Sequence, residues 1–242
     1  MVRFRVGKSY RFKRMKVAAI IFSRMASSRL PGKALRHIAG EPLIKRVINR
    51  VSKVKKLSTV VVATSNSKND DRLVEYIQSL NIEVFRGAAH DVLDRAVSCA
   101  GYLGVDKFIR INGDSPLIDP ELLEKGIEMW REPNLDLISN VFPRTYPVGT
   151  SVEIIKTDSL KKILSLTVDS CDREHVTRFF YRNPEKFRIL NFESGRSELR
   201  EVRLAVDTEE DLERIDWLFK EFGGLINFEM AAEKSLLWSR VE

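Results

Sequence analysis

Residues 17–33 read VAAIIFSRMASSRLPGK, and the fold is read outward from this stretch. The first six residues are apolar without a break, as in a strand buried on both faces of a sheet. The next eleven form a polar loop that ends in Pro31-Gly32-Lys33. Three cations (Arg24, Arg29, Lys33) and three hydroxyls (Ser23, Ser27, Ser28) occupy that loop. Arginine offers planar forks to phosphate oxygens, lysine a compact charge, and hydroxyls and loop N–H groups fill the gaps. The set suits a polyphosphate. It is not the usual phosphate loop: no glycine stands five positions before Gly32, and Ala34 stands where that motif carries a metal-binding hydroxyl. A solvated basic loop is the plainer alternative.

The same alternation continues along the chain. Pro42 opens a helix with Leu43, Val47, Val51 and Val54 at helical spacing. Residues 59–63 (TVVVA) are a second buried strand, 70–80 a helix, 82–85 a short strand, 90–103 a helix and 107–111 another strand. Asp119-Pro120 then caps a further helix, Asp as N-cap and Pro in the first helical position. Repeated strand–helix alternation predicts an α/β fold, mainly a parallel sheet with helices on both faces. Ligands of such sheets bind beyond the carboxyl ends of the strands. The loops 23–33, 64–69, 86–91 and 112–116 therefore line one rim. The second half is less regular. It predicts strands at 135–139, 151–155, 187–192 and 203–206, and helices at 172–181, 208–219 and 226–238. With no internal repeat and no linker, 17–242 reads as one domain with a small antiparallel excursion near 135–200.

Composition excludes several classes. With 242 residues, 43% hydrophobic and 31% charged, the chain is neither disordered nor fibrous. No apolar run approaches the roughly 18 residues of a membrane span. Two distant cysteines, Cys99 and Cys171, exclude a disulfide scaffold and suit a reducing, cytoplasmic compartment. Seven of the 41 basic residues lie in 1–16, where there is no acid, so 17–242 holds 34 of each sign. The basic excess belongs to an N-terminal extension, expected to be disordered, and no nucleic-acid face is expected in the fold itself. The extension lacks the apolar core of a secretory signal. It is either a loose polyanion-binding arm or an upstream segment preceding a true start at Met15.

Two aspartates follow buried strands. Asp114 stands in Gly-Asp-Ser-Pro after KFIRI, where it either holds a divalent metal on a nucleotide or bonds its own turn. Asp207 ends LAVD, where it either shares that rim or caps the helix that follows, a role Thr208 also suits. Arg173 and His175 in DREHVT suit a substrate carboxylate, or else a charged helix face. His37, His90 and His175 are scattered, and no transition-metal spacing is present. Nothing singles out a nucleophilic Ser or Cys.

These motifs together resemble a known family. SRMASSRLPGKAL is similar to the signature of sugar-acid cytidylyltransferases, the CMP-Kdo and CMP-sialic acid synthetase group. The nearest likeness is to the SpsF-type spore coat polysaccharide proteins. It continues in order through VVVATSNSKNDD, VFRGAAHDVLDRA, RINGDSPLIDPEL, TYPVGTSVEI, DREHVT and RLAVDTEEDL, over about 17–220. The resemblance implies a Rossmann-like nucleotidyltransferase fold. It implies that Arg24, Ser27, Ser28, Arg29 and Lys33 hold the CTP phosphates, and that Thr64, Ser65, Asn66 and Arg86 approach the base and ribose. Asp114 and Asp207 match the metal-binding aspartates, taken to hold Mg²⁺. Tyr146, Glu153, Arg173 and His175 match the side that receives the sugar acid.

The chain departs from the family at several points. The family loop reads QARMGSTRLPGK, whereas here Ala26 and Ser28 replace Gly and Thr. Val148 and Ser151 replace the acidic residues of YPDGLDVE, so the sugar is left open.

The expected activity is transfer of CMP from CTP to the anomeric hydroxyl of a 2-ulosonic acid, releasing pyrophosphate, for surface polysaccharide biosynthesis including lipopolysaccharide. Arg24, Lys33, Asp114 and Asp207 would carry the chemistry, in a homodimer as is common in that family. Two rivals stand beside it. A glycosyltransferase would want a DxD triplet at a strand end, and none is there, since Asp70-Asp71 opens a helix. A non-catalytic protein with a nucleic-acid-binding arm would lose salt-sensitive binding on removal of 1–14.

Overall fold

The computed structural model describes residues 17–238. The basic extension and its expected disorder lie outside the described residues. The buried run at 17–22 is β1 (Val17–Phe22), an interior strand of a seven-stranded sheet. Around it lie β4 (Leu57–Ser65), β5 (Glu83–Gly87) and β6 (Lys107–Asn112), all parallel to β1, in the order β5-β4-β1-β6. Beyond β6 the sheet continues through β8 (Glu153–Lys156), β7 (Leu137–Ser139) and β9 (Ile189–Asn191). Only β8 runs against the rest of this sheet, which gives the antiparallel excursion its place. A small hairpin, β2 (His37–Ile38) with β3 (Glu41–Pro42), forms a separate two-stranded sheet.

The side-chain period of two divides the core between the faces of the sheet. Val17, Ala19 and Ile21 pack with α1 (Leu43–Val51), α2 (Asp71–Ser79), α4 (Pro120–Met129), α8 (Glu209–Phe222) and α9 (Phe228–Ser235). Ala18 and Ile20 pack with α3 (Val92–Leu103), α5 (Thr157–Leu166) and α7 (Arg178–Arg182). The expected α/β architecture, with a mainly parallel sheet and helices on both faces, is what the chain adopts. In register, Phe22 lies opposite Ala63 and Asn112, and Ser65 opposite Gly87, so the four parallel strands end at one rim.

Several local expectations are corrected. Pro42 does not open the helix: it closes the β2–β3 hairpin and precedes α1, whose last residue is Val51, so Val54 is buried beyond it. The helix expected at 172–181 is two short ones, α6 (Ser170–Glu174) and α7, broken around His175. α5 is unexpected from the sequence, because only Thr157, Ser159, Leu160 and Ile163 of it are buried, too few to show a stripe.

The strand expected at 203–206 is an extended segment with a single bridge, Val148 to Arg203. It is bound through Val148 N–H to Val202 O at 2.9 Å and Leu204 N–H to Val148 O at 2.6 Å. Gly149 ends the ladder, with φ +105°.

Gly149 also allows the close approach that places Asp207. A Cβ there would lie 2.6 Å from both Ala205 N and Leu204 C. The backbone is left-handed as well, so any side chain is strained twice. Gly149→Ala is expected to destabilise the protein by about 3 kcal/mol in urea unfolding, from overpacking plus strain. A loss below about 1 kcal/mol would show that the contact is not tight.

Candidate functional site

The rim holds a cleft of about 780 Å³. The loop after β1 forms one wall. Gly32, with φ +70°, turns the chain back, and its N–H bonds Met25 O at 3.0 Å. The loop is anchored on β4 by Asp70, which is 1% exposed. One oxygen of Asp70 accepts from Met25 N–H at 2.7 Å; the other accepts from Thr64 Oγ1 at 2.9 Å, from Ser65 N–H at 3.1 Å and from the Ser65 hydroxyl. Burial pushes this carboxyl's pKa up. The bonds from Ser65, Met25 N–H and Thr64 outweigh it, and the group lies below its ordinary value.

The turned loop delivers Lys33 to the two aspartates. Its Nζ donates to Asp114 Oδ2 at 2.8 Å, Val206 O at 2.9 Å and Asp207 Oδ1 at 3.0 Å. All three ammonium protons are thus engaged. Two backbone features bring the aspartates together. Gly113 allows β6's exit to close on β1, its N–H bonding Phe22 O at 2.8 Å, and a Cβ there would meet Ser23 Cβ at 2.7 Å. Val206 N–H bonds Asp114 O at 2.9 Å, tying the two loops directly.

Asp207 is free to face the rim because Thr208 and Asp211 form the capping box of α8 without it. Its other neighbours are Arg29 at 3.1 Å and Arg203 at 2.8 Å. Burial raises its pKa, but the Lys33 hydrogen bond and charge, with Arg29 and Arg203, hold it below the ordinary carboxylate value.

Two hard carboxylates gathered around one cation fit a divalent metal. Among the described residues no group of three or more His, Cys, Asp or Glu converges. A metal here would take Asp114 and Asp207 and complete its shell from phosphate oxygens and water, as magnesium does in nucleotide enzymes.

The structure sorts the other expected residues. Arg24, Ser27, Ser28, Arg29, Lys33, Asp114, His175 and Asp207 all line the cleft. Thr64, Ser65, Asn66 and Arg86 do not: Thr64 and Ser65 are buried on Asp70, Asn66 N–H bonds Gly87 O, and Arg86 on β5 reaches across to Ser65 O, Ser67 O and Asp71 in the segment after β4. Tyr146 is 2% exposed, packed against Phe192 and Phe228 with its hydroxyl on Glu193 O, and does not line the cleft. Arg173 is held by Asp91, Thr167 O and Leu164 O outside the cleft. Glu153 is buried and reaches the cleft only through Arg110.

Among the lining residues are four ionisable ones that were not expected as site residues: His90, Arg95, Arg110 and Glu174. Arg95 falls on the apolar stripe of α3 beside Val92, Ala96 and Cys99, and Arg110 interrupts an otherwise apolar strand. A charge on a buried face was the available signal for both. Glu174 pairs with Arg24 at 2.7 Å, and no signal in the sequence gives that pairing. Five cations (Arg24, Arg29, Lys33, Arg95, Arg110) thus face the carboxylates of Asp114, Glu174 and Asp207, leaving the cleft positive.

A parallel-sheet rim that sets an arginine-rich loop against paired carboxylates belongs to a nucleotidyltransferase. The cytidylyltransferase family model matches residues 18–239, and the chain belongs to that family of CTP-dependent enzymes. It is 32% identical over 210 residues to the spore coat polysaccharide biosynthesis protein SpsF of Bacillus subtilis, covering 84% of this chain and 86% of that protein. It is 32% identical over 191 residues to a 3-deoxy-manno-octulosonate cytidylyltransferase of Geobacter metallireducens, covering 77% and 67% respectively. Among solved structures it is similar to a cytidylyltransferase from Leptospira borgpetersenii, with a TM-score of 0.86, 29% identity, and 91% and 93% of the two chains covered.

The Asp70 anchor makes a stability prediction. Its pKa is lowered on folding from 3.8, so as pH falls the unfolded chain is protonated first. Its contribution is full above about pH 4 to 5 and is lost as pH falls through the folded value. Asp70→Asn should cost about 2 kcal/mol at pH 7, and the gap from wild type should narrow at pH 3. Urea unfolding at both pH values checks this. An equal gap at both would exclude a charged anchor.

Proposed function

We propose that this protein transfers CMP from CTP to the anomeric hydroxyl of an acidic 2-ulosonic sugar, of Kdo or nonulosonic type, and releases pyrophosphate. The single observation that carries this reading is the convergence of Asp114 and Asp207 on Lys33 Nζ beside the loop of Arg24 and Arg29. The relatives named above, one of them acting on 3-deoxy-manno-octulosonate, support the acidic acceptor. So does the excess of cations over carboxylates in the cleft.

In this reading the sugar hydroxyl oxygen attacks the α-phosphorus, its proton passes to solvent, and the bond from that phosphorus to the β-phosphate oxygen breaks, releasing pyrophosphate. Arg29, and Lys33 once it exchanges an aspartate oxygen for a phosphate oxygen, hold the phosphates and offset the charge that builds on departing pyrophosphate. Arg24 exchanges Glu174 for a phosphate oxygen. Ser27 and Ser28 supply hydroxyl donors to the same group. His175, in the break between α6 and α7, faces the acceptor. Asp114 and Asp207 hold the divalent metal, taken as magnesium, which when bound supplies Lewis-acid charge at the reacting phosphate. Positioning accounts for most of the rate, as in phosphoryl transfer generally.

No helix among the described residues is long and apolar enough to cross a membrane. We place the enzyme in the cytoplasm, as a homodimer, at the activation step of surface polysaccharide synthesis.

The test is pyrophosphate release with each nucleoside triphosphate against a panel of 2-ulosonic acids. Turnover is expected with CTP and at least one sugar acid. Silence across the CTP row would falsify the reading. Asp114→Asn should lower turnover on the order of a thousandfold with the fold intact by circular dichroism. Near-normal turnover would exclude its metal role.

A further inference from the structure

A line of buried polar groups crosses three strands and ends in the cleft. Arg110 on β6 lies opposite Glu153 on β8, and Ser139 on β7 lies opposite Glu153 from the other side. Arg110 Nη1 donates to Glu153 Oε2, and the Tyr181 hydroxyl donates to Glu153 Oε1 at 2.7 Å. The hydroxyls of Ser139 and Tyr181 are 2.9 Å apart. Glu153 is 2% exposed, so it serves as a fixed anchor and meets no substrate.

Arg110 is the end of this line that lines the cleft. Its Nε is buried without a hydrogen-bond partner, and Glu153 is its one polar partner among the described residues. A guanidinium has five N–H donors, so this one arrives in the cleft with most of them unused. A second guanidinium, Arg144, is near enough to Glu153 to feel its charge and is bonded only to Pro147 O at 3.4 Å and Ser151 Oγ at 3.2 Å. Glu153 is thus paired with Arg110 and has a second guanidinium in its field, so the cluster keeps a positive charge that an anion can complete.

Sheet order decides which anion. The phosphate loop leaves β1, on one side of β6, and Arg110 pairs toward β8, on the other. Asp114, at the exit of β6, lies between the two directions. A nucleotide over β1 therefore leaves the β8 side for the acceptor.

We propose that Arg110 binds the carboxylate of the acceptor sugar, with Glu153 and Tyr181 as positioning residues that aim its guanidinium. This inference rests on the acidic-sugar reading above. Free N–H groups on a guanidinium whose orientation is already fixed form charge-assisted bonds at low entropic cost.

The experiment compares a substrate sugar acid with its carboxamide analogue, using the full chain. Wild type is expected to favour the acid by about tenfold or more in kcat/KM, the range of one charge-assisted hydrogen bond. Arg110→Gln should lose that preference by raising KM for the acid, with KM for CTP unchanged within about twofold. An Arg110→Gln enzyme that keeps the acid preference overturns the proposal. Tyr181→Phe leaves every charge in place and serves if Arg110→Gln does not fold. It should raise KM for the acid severalfold without moving KM for CTP, and an unchanged KM for the acid overturns the positioning role. A wild type inactive on every sugar acid rejects the function reading itself, a result visible before any variant is made.

Discussion

One lysine ammonium organises the rim. Lys33 satisfies three oxygens from two distant parts of the chain, and two of them are charged. Without that cation Asp114 and Asp207 would face each other as like charges in a half-buried setting, which is costly. The lysine reaches them because Pro31-Gly32 turns the loop back on itself and Asp70 pins its start to β4. The arginine-rich loop, the carboxylate pair and the end of β1 are thus one cooperative unit.

The backbone supplies the accuracy. Direct pairing of Val206 N–H with Asp114 O sets the separation of the two acidic loops independently of their side chains. Gly113 and Gly149 each remove a Cβ from a place where two segments are nearly in contact. This end of the sheet is therefore built from main-chain contacts, with flexible side chains used only at the last step. Rigid support of this kind is what positioning catalysis requires.

Much of this was legible in the residues. The unbroken run at 17–22, the strand–helix alternation and the Asp119-Pro120 cap depend on local chemistry, and they read correctly. The rim followed from them, so Arg24, Arg29, Lys33, Asp114 and Asp207 could be put at one end of the sheet by topology. What was not legible depends on who faces whom. Thr64 and Ser65 end β4, yet their side chains turn inward onto Asp70, and Arg86 on β5 reaches across to Ser65 O, Ser67 O and Asp71. Tyr146 sits in a motif that matched a substrate side, yet an aromatic so placed is consumed by the core. The extended 203–206 segment looked like a strand because Leu204 and Val206 alternate, and only the facing Gly149 shows why no ladder forms. Arg110 was visible as a charge in an apolar strand, but its partner on β8 is forty-three positions away.

The pairing of Arg24 with Glu174 has a consequence for how the pocket fills. Both groups are more than a third open to water, at 37% and 36%, so the bond between them is weak and breaks readily. In the proposed reaction a phosphate would take the place of Glu174 on Arg24, one anion for another, so the guanidinium would keep a partner throughout and its direction would be set in advance. The carboxylate so released would stand at the end of a five-residue helix, next to His175.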